Sequence, residues 1–285
     1  MTTFSAGYVT ANSFNNASTA NFRAWGKAVS DAMTAVGLTK TSDTGQIDWS
    51  TVNLPAASAY GGYEIRRMSD ALDTTYPMFI KFEFGTVTTG ARWVIRITVS
   101  SGTDGAGNPT GILMSPFPIG TNAQMSAANT TLMMCRTQGV WWMAVIPSAS
   151  DCIFLAAITR SQNAAGVYGE DFTMLAANSS SWITVAPTAL SVDRSAVVSR
   201  SSTTDFFFLP WYGSASATAT TRLITAPVFC YPQLAASEMA VLFRTGEYTP
   251  YTTFTAAPVA GRSHTYFATP LSSTSPAGNY AFIWE

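Results

Sequence analysis

A two-residue alternation runs through Met78-Phe79-Ile80-Lys81-Phe82-Glu83-Phe84-Gly85. Phe82 and Phe84 fall on one face and Lys81 and Glu83 on the other, which is typical of a strand buried on one side. After the turn Thr88-Thr89-Gly90, residues 92–99 alternate in the same way. The two segments therefore predict an antiparallel β-hairpin.

Many other short apolar runs are separated by Gly, Pro, Asn and Ser. They predict strands at 63–68, 133–136, 140–146, 152–159, 172–175, 182–185, 206–209, 222–229 and 265–268. The most apolar stretch, 140–158, is interrupted by a turn at 147–151, so it is predicted as two strands rather than a membrane helix. The pattern predicts a mainly β fold, a β-sandwich or jelly-roll-like domain with a short N-terminal α-helical region.

One helix is indicated near the N-terminus. Ser18 or Thr19 can cap its start, and Gly37 can end it in a left-handed turn. Its apolar stripe is typical either of a side packed into the core or of a contact between subunits. Four residues of the stripe and the apolar Trp49 after the helix are our candidate assembly residues: Phe22, Trp25, Val29, Met33 and Trp49. A second short helix is predicted over 234–243, a polar lead over 1–18, and a turn-rich loop over 100–111.

No strong linker divides the chain. We expect an N-terminal arm and helix at 1–50, serving attachment or oligomerisation, and a β-rich domain at 51–285, either single or built of two packed β subdomains. The segment 1–8 has neither the basic nor the apolar region of a secretory signal, which predicts synthesis in a cytoplasm.

Composition excludes several classes of function. Only 11% of the 285 residues are charged, against about 25% in typical soluble proteins. Fifteen basic and sixteen acidic residues leave no basic surface for nucleic acid or anionic lipid. We therefore expect no nucleic-acid partner and no membrane insertion.

Residues suited to catalysis are few. His264 is the single histidine, so a Ser-His-carboxylate triad would have to use it, with Ser263 adjacent in sequence. Carboxylate pairs of the type used in glycoside hydrolysis are Glu64 with Glu83, Asp70 with Asp73, and Glu170 with Asp171. None forms a distinctive motif, so we predict a non-enzymatic protein without catalytic residues or a cofactor.

Metal binding has equally weak signals. The cysteines lie far apart and predict buried free thiols: Cys135, Cys152 and Cys230. Acidic residues in turn-rich segments allow a cation site, although plain turns explain them more simply: Asp43, Asp48, and Asp104 with Asn108. We predict no metal site.

Some aromatic side chains are candidates for glycan contact or for an interface. Trp141 and Trp142 are neighbours on a predicted strand, so one indole belongs to the core and the other, taken as Trp142, to an exposed or interface position. Trp211 and Tyr212 follow Pro210 in a predicted loop. Exposed aromatic rings can stack on a sugar or anchor a subunit.

Several segments together carry a resemblance to a known class of protein. They are the helical segment 22–32, then 36–38, 44–49, 63–65 and 77–85, and the closing aromatic segment 280–285. Over roughly its first third, the chain resembles structural proteins of tailed bacteriophages. The resemblance implies a virion protein, made in the bacterial host cytoplasm, of the tail tip, baseplate or fibre.

Such a protein acts by assembly. The resemblance implies a homo-oligomer, a trimer or higher ring, in contact with other virion proteins. Two other roles stay open: a module that binds a host-surface carbohydrate or receptor, and a capsid decoration or head-fibre protein. A polysaccharide depolymerase that uses carboxylates is the enzymatic alternative.

Overall fold

The computed structural model describes residues 6–11, 18–87, 93–119, 130–147, 153–162, 165, 167–179, 184–185, 187–193, 198–201, 206–208, 226–230, 235–243, 248–249, 251–259, 262–274 and 277–284. Within them the fold is mainly β, as the sequence predicts, and its one helix lies near the N-terminus. In chain order the elements are β1 (Ala6–Ala11), α1 (Thr19–Ala35), β2 (Thr39–Lys40), β3 (Tyr60–Arg67), β4 (Phe79–Thr86), β5 (Trp93–Thr103), β6 (Pro109–Ile119), β7 (Thr130–Thr137), β8 (Val140–Pro147), β9 (Ile153–Gln162), β10 (Tyr168–Ser179), β11 (Thr184–Val185), β12 (Pro187–Asp193), β13 (Val198–Ser201), β14 (Phe206–Phe208), β15 (Ala226–Cys230), β16 (Ala235–Phe243), β17 (Thr253–Val259), β18 (Arg262–Thr274) and β19 (Ala277–Ile283).

The strands form two sheets. The small sheet has five strands in the order β2-β3-β4-β5-β6, all antiparallel. The large sheet has fourteen strands along the path β1-β7-β8-β9-β16-β19-β18-β11, with further strands branching from β9, β16 and β18. Its pairings are antiparallel except that of β11 with β18. The architecture is consistent with a β-sandwich.

The predicted hairpin is confirmed as β4 and β5, in which Phe82 lies opposite Ile97. Helix α1 is confirmed too. Ser18 caps it by accepting a hydrogen bond from the amide of Asn21 at 3.1 Å. Gly37, with φ of 82°, ends it, and the amide of Leu38 donates to the carbonyl of Met33 at 2.9 Å. This is the left-handed closure that glycine permits.

One core joins the helix and both sheets. The Trp25 ring lies 5.7 Å from that of Phe84 and 4.9 Å from that of Trp93, so α1 covers the inner face of the small sheet. On the same face, Phe82 meets Trp141 of the large sheet edge to face, with ring centroids 5.4 Å apart. Residues of the expected N-terminal arm, 1–50, and of the expected β-rich domain, 51–285, both contribute to this core.

Three local predictions are wrong. The helix expected over 234–243 is strand β16, because β9, β15 and β19 pair with its backbone and outweigh the local spacing. The polar lead contains β1, which pairs with β7. The loop expected over 100–111 is confined to 104–108, where Asp104 accepts hydrogen bonds from the amides of Ala106 and Asn108.

Candidate functional site

A buried carboxylate is the centre of a polar cluster beneath α1. Glu64 lies on β3 opposite Phe82, so its side chain enters the apolar inner face and is 0% exposed. Its oxygens accept hydrogen bonds from Ser30 Oγ at 2.7 Å, Trp49 Nε1 at 3.0 Å and Lys40 Nζ at 3.2 Å. Arg66 adds bonds from Nε at 3.0 Å and from Nη2 at 2.5 Å.

The Arg66 guanidinium is also completely bonded into the fold. Its Nη1 donates to Thr34 Oγ1 at 2.8 Å, and its Nη2 donates to Ser30 Oγ at 2.8 Å. Glu64 and Arg66 are two residues apart on one strand and therefore share a face. The pair thus connects the small sheet to the inner side of α1.

The electrostatics of Glu64 indicate a structural carboxylate. Burial by itself raises its pKa, but the Arg66 guanidinium, the Ser30 hydroxyl and the Lys40 ammonium outweigh burial and hold the pKa below its ordinary value. A general base must reach a substrate proton with a free lone pair. Glu64 is ionised, enclosed and surrounded by donors, so its role is to hold α1, Trp49 and β3 together.

A second buried ion pair connects the two sheets. Arg160, on β9 of the large sheet, donates from Nε to Asp70 Oδ2 and from Nη2 to Asp70 Oδ1, and both side chains are at most 1% exposed. Arg160 Nη2 also donates to the carbonyl of Tyr76 at 2.8 Å. Nearby, Arg136 on β7 donates to the carbonyls of Gly37 and Ser69. These bonds fix the segments around the small sheet against the large sheet.

Two of the three candidate carboxylate pairs can be placed, and neither is arranged for catalysis. The third pair is Glu170 with Asp171, and the side chain of Asp171 lies outside the described residues. Glu64 faces the core, whereas Glu83 lies opposite Tyr63 on the outer face of the small sheet. Asp70 is bonded to Arg160, and Asp73 accepts from Arg67 Nε at 2.7 Å. The carboxyl groups of the two placed pairs therefore do not face each other across a cleft, as a glycosidase requires.

The outer face of the small sheet carries a row of charges and rings. Arg96 Nε and Nη2 each donate to Glu83 at 2.7 Å, which makes a bidentate pair. The Arg96 guanidinium lies 4.3 Å from the ring centre of Tyr60, and Lys81 Nζ lies 4.4 Å from that of Tyr63. The cations thus occupy the aromatic faces that a sugar ring would need.

The acidic residues of the turns bond within the turn-rich segments: Asp48 and Asp104 to their own loops, and Asp43 to the 104–108 loop. Asp48 accepts from the Ser50 amide at 2.9 Å and from Thr51 Oγ1 at 3.0 Å. Asp104 accepts a hydrogen bond from Asn108 Nδ2 at 2.7 Å, and this bond makes the largest contribution to holding the pKa of Asp104 below its ordinary value. Asp43 accepts from the Gly107 amide at 3.2 Å. Across the described ranges, no group of three or more His, Cys, Asp or Glu is placed to hold a metal.

The candidate assembly residues are core residues. All five are buried: Phe22 0%, Trp25 1%, Val29 1%, Met33 0% and Trp49 9% exposed. The ring centres of Phe22 and Trp49 lie 5.8 Å apart, and those of Trp49 and Phe84 lie 4.8 Å apart. This stripe is covered by the chain's own small sheet and has no surface left for a second subunit.

The glycan or interface assignment of Trp142 is wrong. Both Trp141 and Trp142 are 0% exposed, because the large sheet has packed side chains on its two faces. The Trp142 ring stacks on Phe282 at 5.0 Å, and its Nε1 donates to the carbonyl of Ile283 at 2.6 Å. Trp211 and Tyr212 lie outside the described residues.

The remaining candidates have local partners. His264, on β18, is half-buried, and its ring lies 6.2 Å from that of Tyr266. Ser263 precedes it on the same strand and therefore points to the opposite face, so the two do not form a catalytic pair. Cys135 is a buried free thiol, as predicted. Cys152 lies outside the described residues, as does the side chain of Cys230.

The fold and the polar clusters define the chain as a mainly β protein held by buried ion pairs. In the described part of the chain, no helix has the length and apolar character needed to span a membrane. No protein-family model matches the sequence, and no curated protein matches it either.

Proposed function

We propose that this protein is a non-enzymatic structural component of a tailed-phage virion, of the tail-tip, baseplate or fibre type. It acts by assembling with copies of itself, as a trimer or higher ring, and with other virion proteins. Capsid decoration is the second position in the virion that the same resemblance allows.

The observation that carries this proposal is that the resembling segments pack together. Trp25 of the helical segment and Trp49 of the following segment both contact Phe84, at 5.7 Å and 4.8 Å between ring centres. Trp49 Nε1 also donates to Glu64 at 3.0 Å. Segments that are separate in sequence thus form one folded unit, as expected if the resemblance belongs to a domain.

The charge distribution supports assembly. The sequence has few ions, and the structure buries four of them in the pairs Glu64–Arg66 and Asp70–Arg160. Glu83 and Arg96 are paired with each other. Covering an ion with a partner subunit costs desolvation energy, so a surface with few free ions is suited to extensive contacts.

The test is light scattering on the size-separated full chain over a dilution series. We expect a discrete trimer or larger ring that persists on dilution. The variants Ile112→Lys and Val167→Lys put charge on side chains that are 41% and 62% exposed, and dissociation by either would locate the contact. A monomer at every concentration would contradict self-assembly.

Location in the virion needs a separate measurement. An antibody against the recombinant chain should label intact phage particles in electron micrographs of lysates from the cells that carry the sequence. Labelling confined to the soluble fraction would reject a virion role, whatever the oligomeric state.

A further inference from the structure

Tyr251 combines exposure with an unusual backbone conformation. Its side chain is 43% exposed, and it is the one aromatic residue among the exposed large apolar side chains in the described ranges. Its φ is 67°, in the left-handed region that residues with a Cβ rarely adopt. A strained backbone that holds an aromatic side chain outward is a pointer to function.

Hydrogen bonds on either side hold this conformation in place. The Tyr251 amide donates to the carbonyl of Ala268 at 2.7 Å, and the Ala268 amide donates to the carbonyl of Thr252 at 2.8 Å. Thr252 Oγ1 donates to the carbonyl of Thr249 at 2.6 Å. The ring is therefore presented from a short loop tied to β18.

Other aromatic rings support Tyr251 from below. Its ring centre lies 6.5 Å from that of Phe267. Phe267 stacks on Trp284 at 4.5 Å with an interplanar angle of 27°, and Trp284 is 5.8 Å from Trp142. Phe267 and Trp142 are buried, while Trp284 is partly exposed. Together Tyr251, Phe267 and Trp284 form an aromatic platform with two rings reaching the surface.

The loop that carries Tyr251 is rich in hydroxyl groups. Thr249, Thr252 and Thr253 are exposed beside Tyr251. The sequence has no charged residue from 248 to 261. Two acidic residues flank the platform in sequence, Glu247 before this segment and Glu285 after Trp284, and the nearest cation along β18, Arg262, lies opposite Val259 at the far end of the hairpin. An anionic ligand would need a cation here, whereas the apolar face and hydroxyl groups of an uncharged sugar match an aromatic ring with a hydroxyl rim.

We propose that the aromatic platform of Tyr251, Phe267 and Trp284 binds a pyranose ring of a neutral polysaccharide. The sugar stacks on Tyr251, and threonine hydroxyls bond to its hydroxyl groups. This goes beyond the proposed structural role and does not depend on it.

The test uses affinity electrophoresis of the full chain in gels containing soluble starch or laminarin, with alginate as the charged control. We expect retardation by at least one neutral polysaccharide and none by alginate, with a change in tryptophan fluorescence from Trp284. Tyr251→Gly should weaken the interaction at least about tenfold, because the stacking ring is gone. Tyr251→Phe should retain it.

Ser58→Gly is the matched control. Ser58 also has a positive φ, of 62°, so both glycine variants relieve the same kind of strain and should not lower the melting temperature. Only Tyr251→Gly should lose the saccharide. The proposal is overturned if neither neutral polysaccharide retards the chain, or if Tyr251→Gly binds as the unmodified chain does. It is also overturned if Tyr251→Gly dissociates an oligomer, since the platform would then be an interface between copies.

Discussion

Replacing Glu64 with Gln should strongly destabilise the protein without changing its shape. The carboxylate accepts hydrogen bonds from Ser30, Lys40, Trp49 and Arg66 and is 0% exposed. Glutamine has nearly the same size, but its amide group presents donors to groups that are donors themselves. The Arg66 guanidinium, 1% exposed, would keep its charge and lose its counter-ion.

The magnitude follows from what stays buried. Removing one partner of a buried ion pair costs about 3–5 kcal/mol, because an uncompensated charge remains inside. That is a large part of the about 5–15 kcal/mol that stabilises a typical domain. Urea unfolding at neutral pH, followed by tryptophan fluorescence, measures the loss directly. Far-UV circular dichroism checks that the variant still folds.

Glu83→Gln is the matched control, since Glu83 lies on the adjacent strand and also binds an arginine. Its pair with Arg96 lies on the outer face, where the two side chains are 15% and 35% exposed and water screens a charge left unpaired, so the loss should be smaller than for Glu64→Gln. A double variant, Glu64→Leu with Arg66→Met, should lose less stability than Glu64→Gln because it leaves neither charge unpaired. The reasoning fails if Glu64→Gln costs no more than Glu83→Gln.

Three further predictions test the same core. Gly26→Ala should lower the free energy of unfolding by about 1–3 kcal/mol in urea unfolding, because the new Cβ would lie 1.9 Å from the Trp49 ring; an unchanged value would show that the ring moves aside. The difference in free energy of unfolding between the unmodified chain and Glu64→Gln should be constant above the ordinary pKa of 4.5 and shrink as the pH falls below it, because the pKa of Glu64 is depressed in the folded protein. Urea unfolding of both proteins at stepwise lower pH measures this difference, and an increase at low pH would contradict the prediction. Deleting 1–49 should give aggregated protein on size exclusion, because the deletion uncovers the inner face of the small sheet around Phe84. A soluble fragment that unfolds cooperatively would instead support an N-terminal arm that is separate from the β-rich domain.

Periodicity along the chain was enough to predict some of the local elements. Helix α1 was predictable because its cap, its apolar spacing and Gly37 all act within neighbouring turns. The hairpin β4–β5 was predictable because each strand alternates and the turn between them is short. Strand β16 was not, because two of its partners, β9 and β19, are not its neighbours in sequence and no local spacing reports them.

The candidate site depended more on tertiary structure. Glu64 and Arg66 could have been noticed as opposite charges two residues apart on a predicted strand, which places them on one face. Their burial could not, because it requires α1 to cover that face with Ser30 and Thr34. The aromatic platform requires β17, β18 and the strand end near Trp284 to come together.

The β class, the capped helix α1 and the low content of charged residues follow from the sequence alone, because they depend on composition and on spacing between near neighbours. Which apolar residues are core and which are surface depends on tertiary packing. The helix stripe and Trp142 were candidates for contact with partners, and both are buried within the chain. The same apolar spacing is found on a helix that packs against its own chain and on one that packs against another subunit, so the sequence pattern does not distinguish the two. That choice is made by the long-range packing that covers the apolar face.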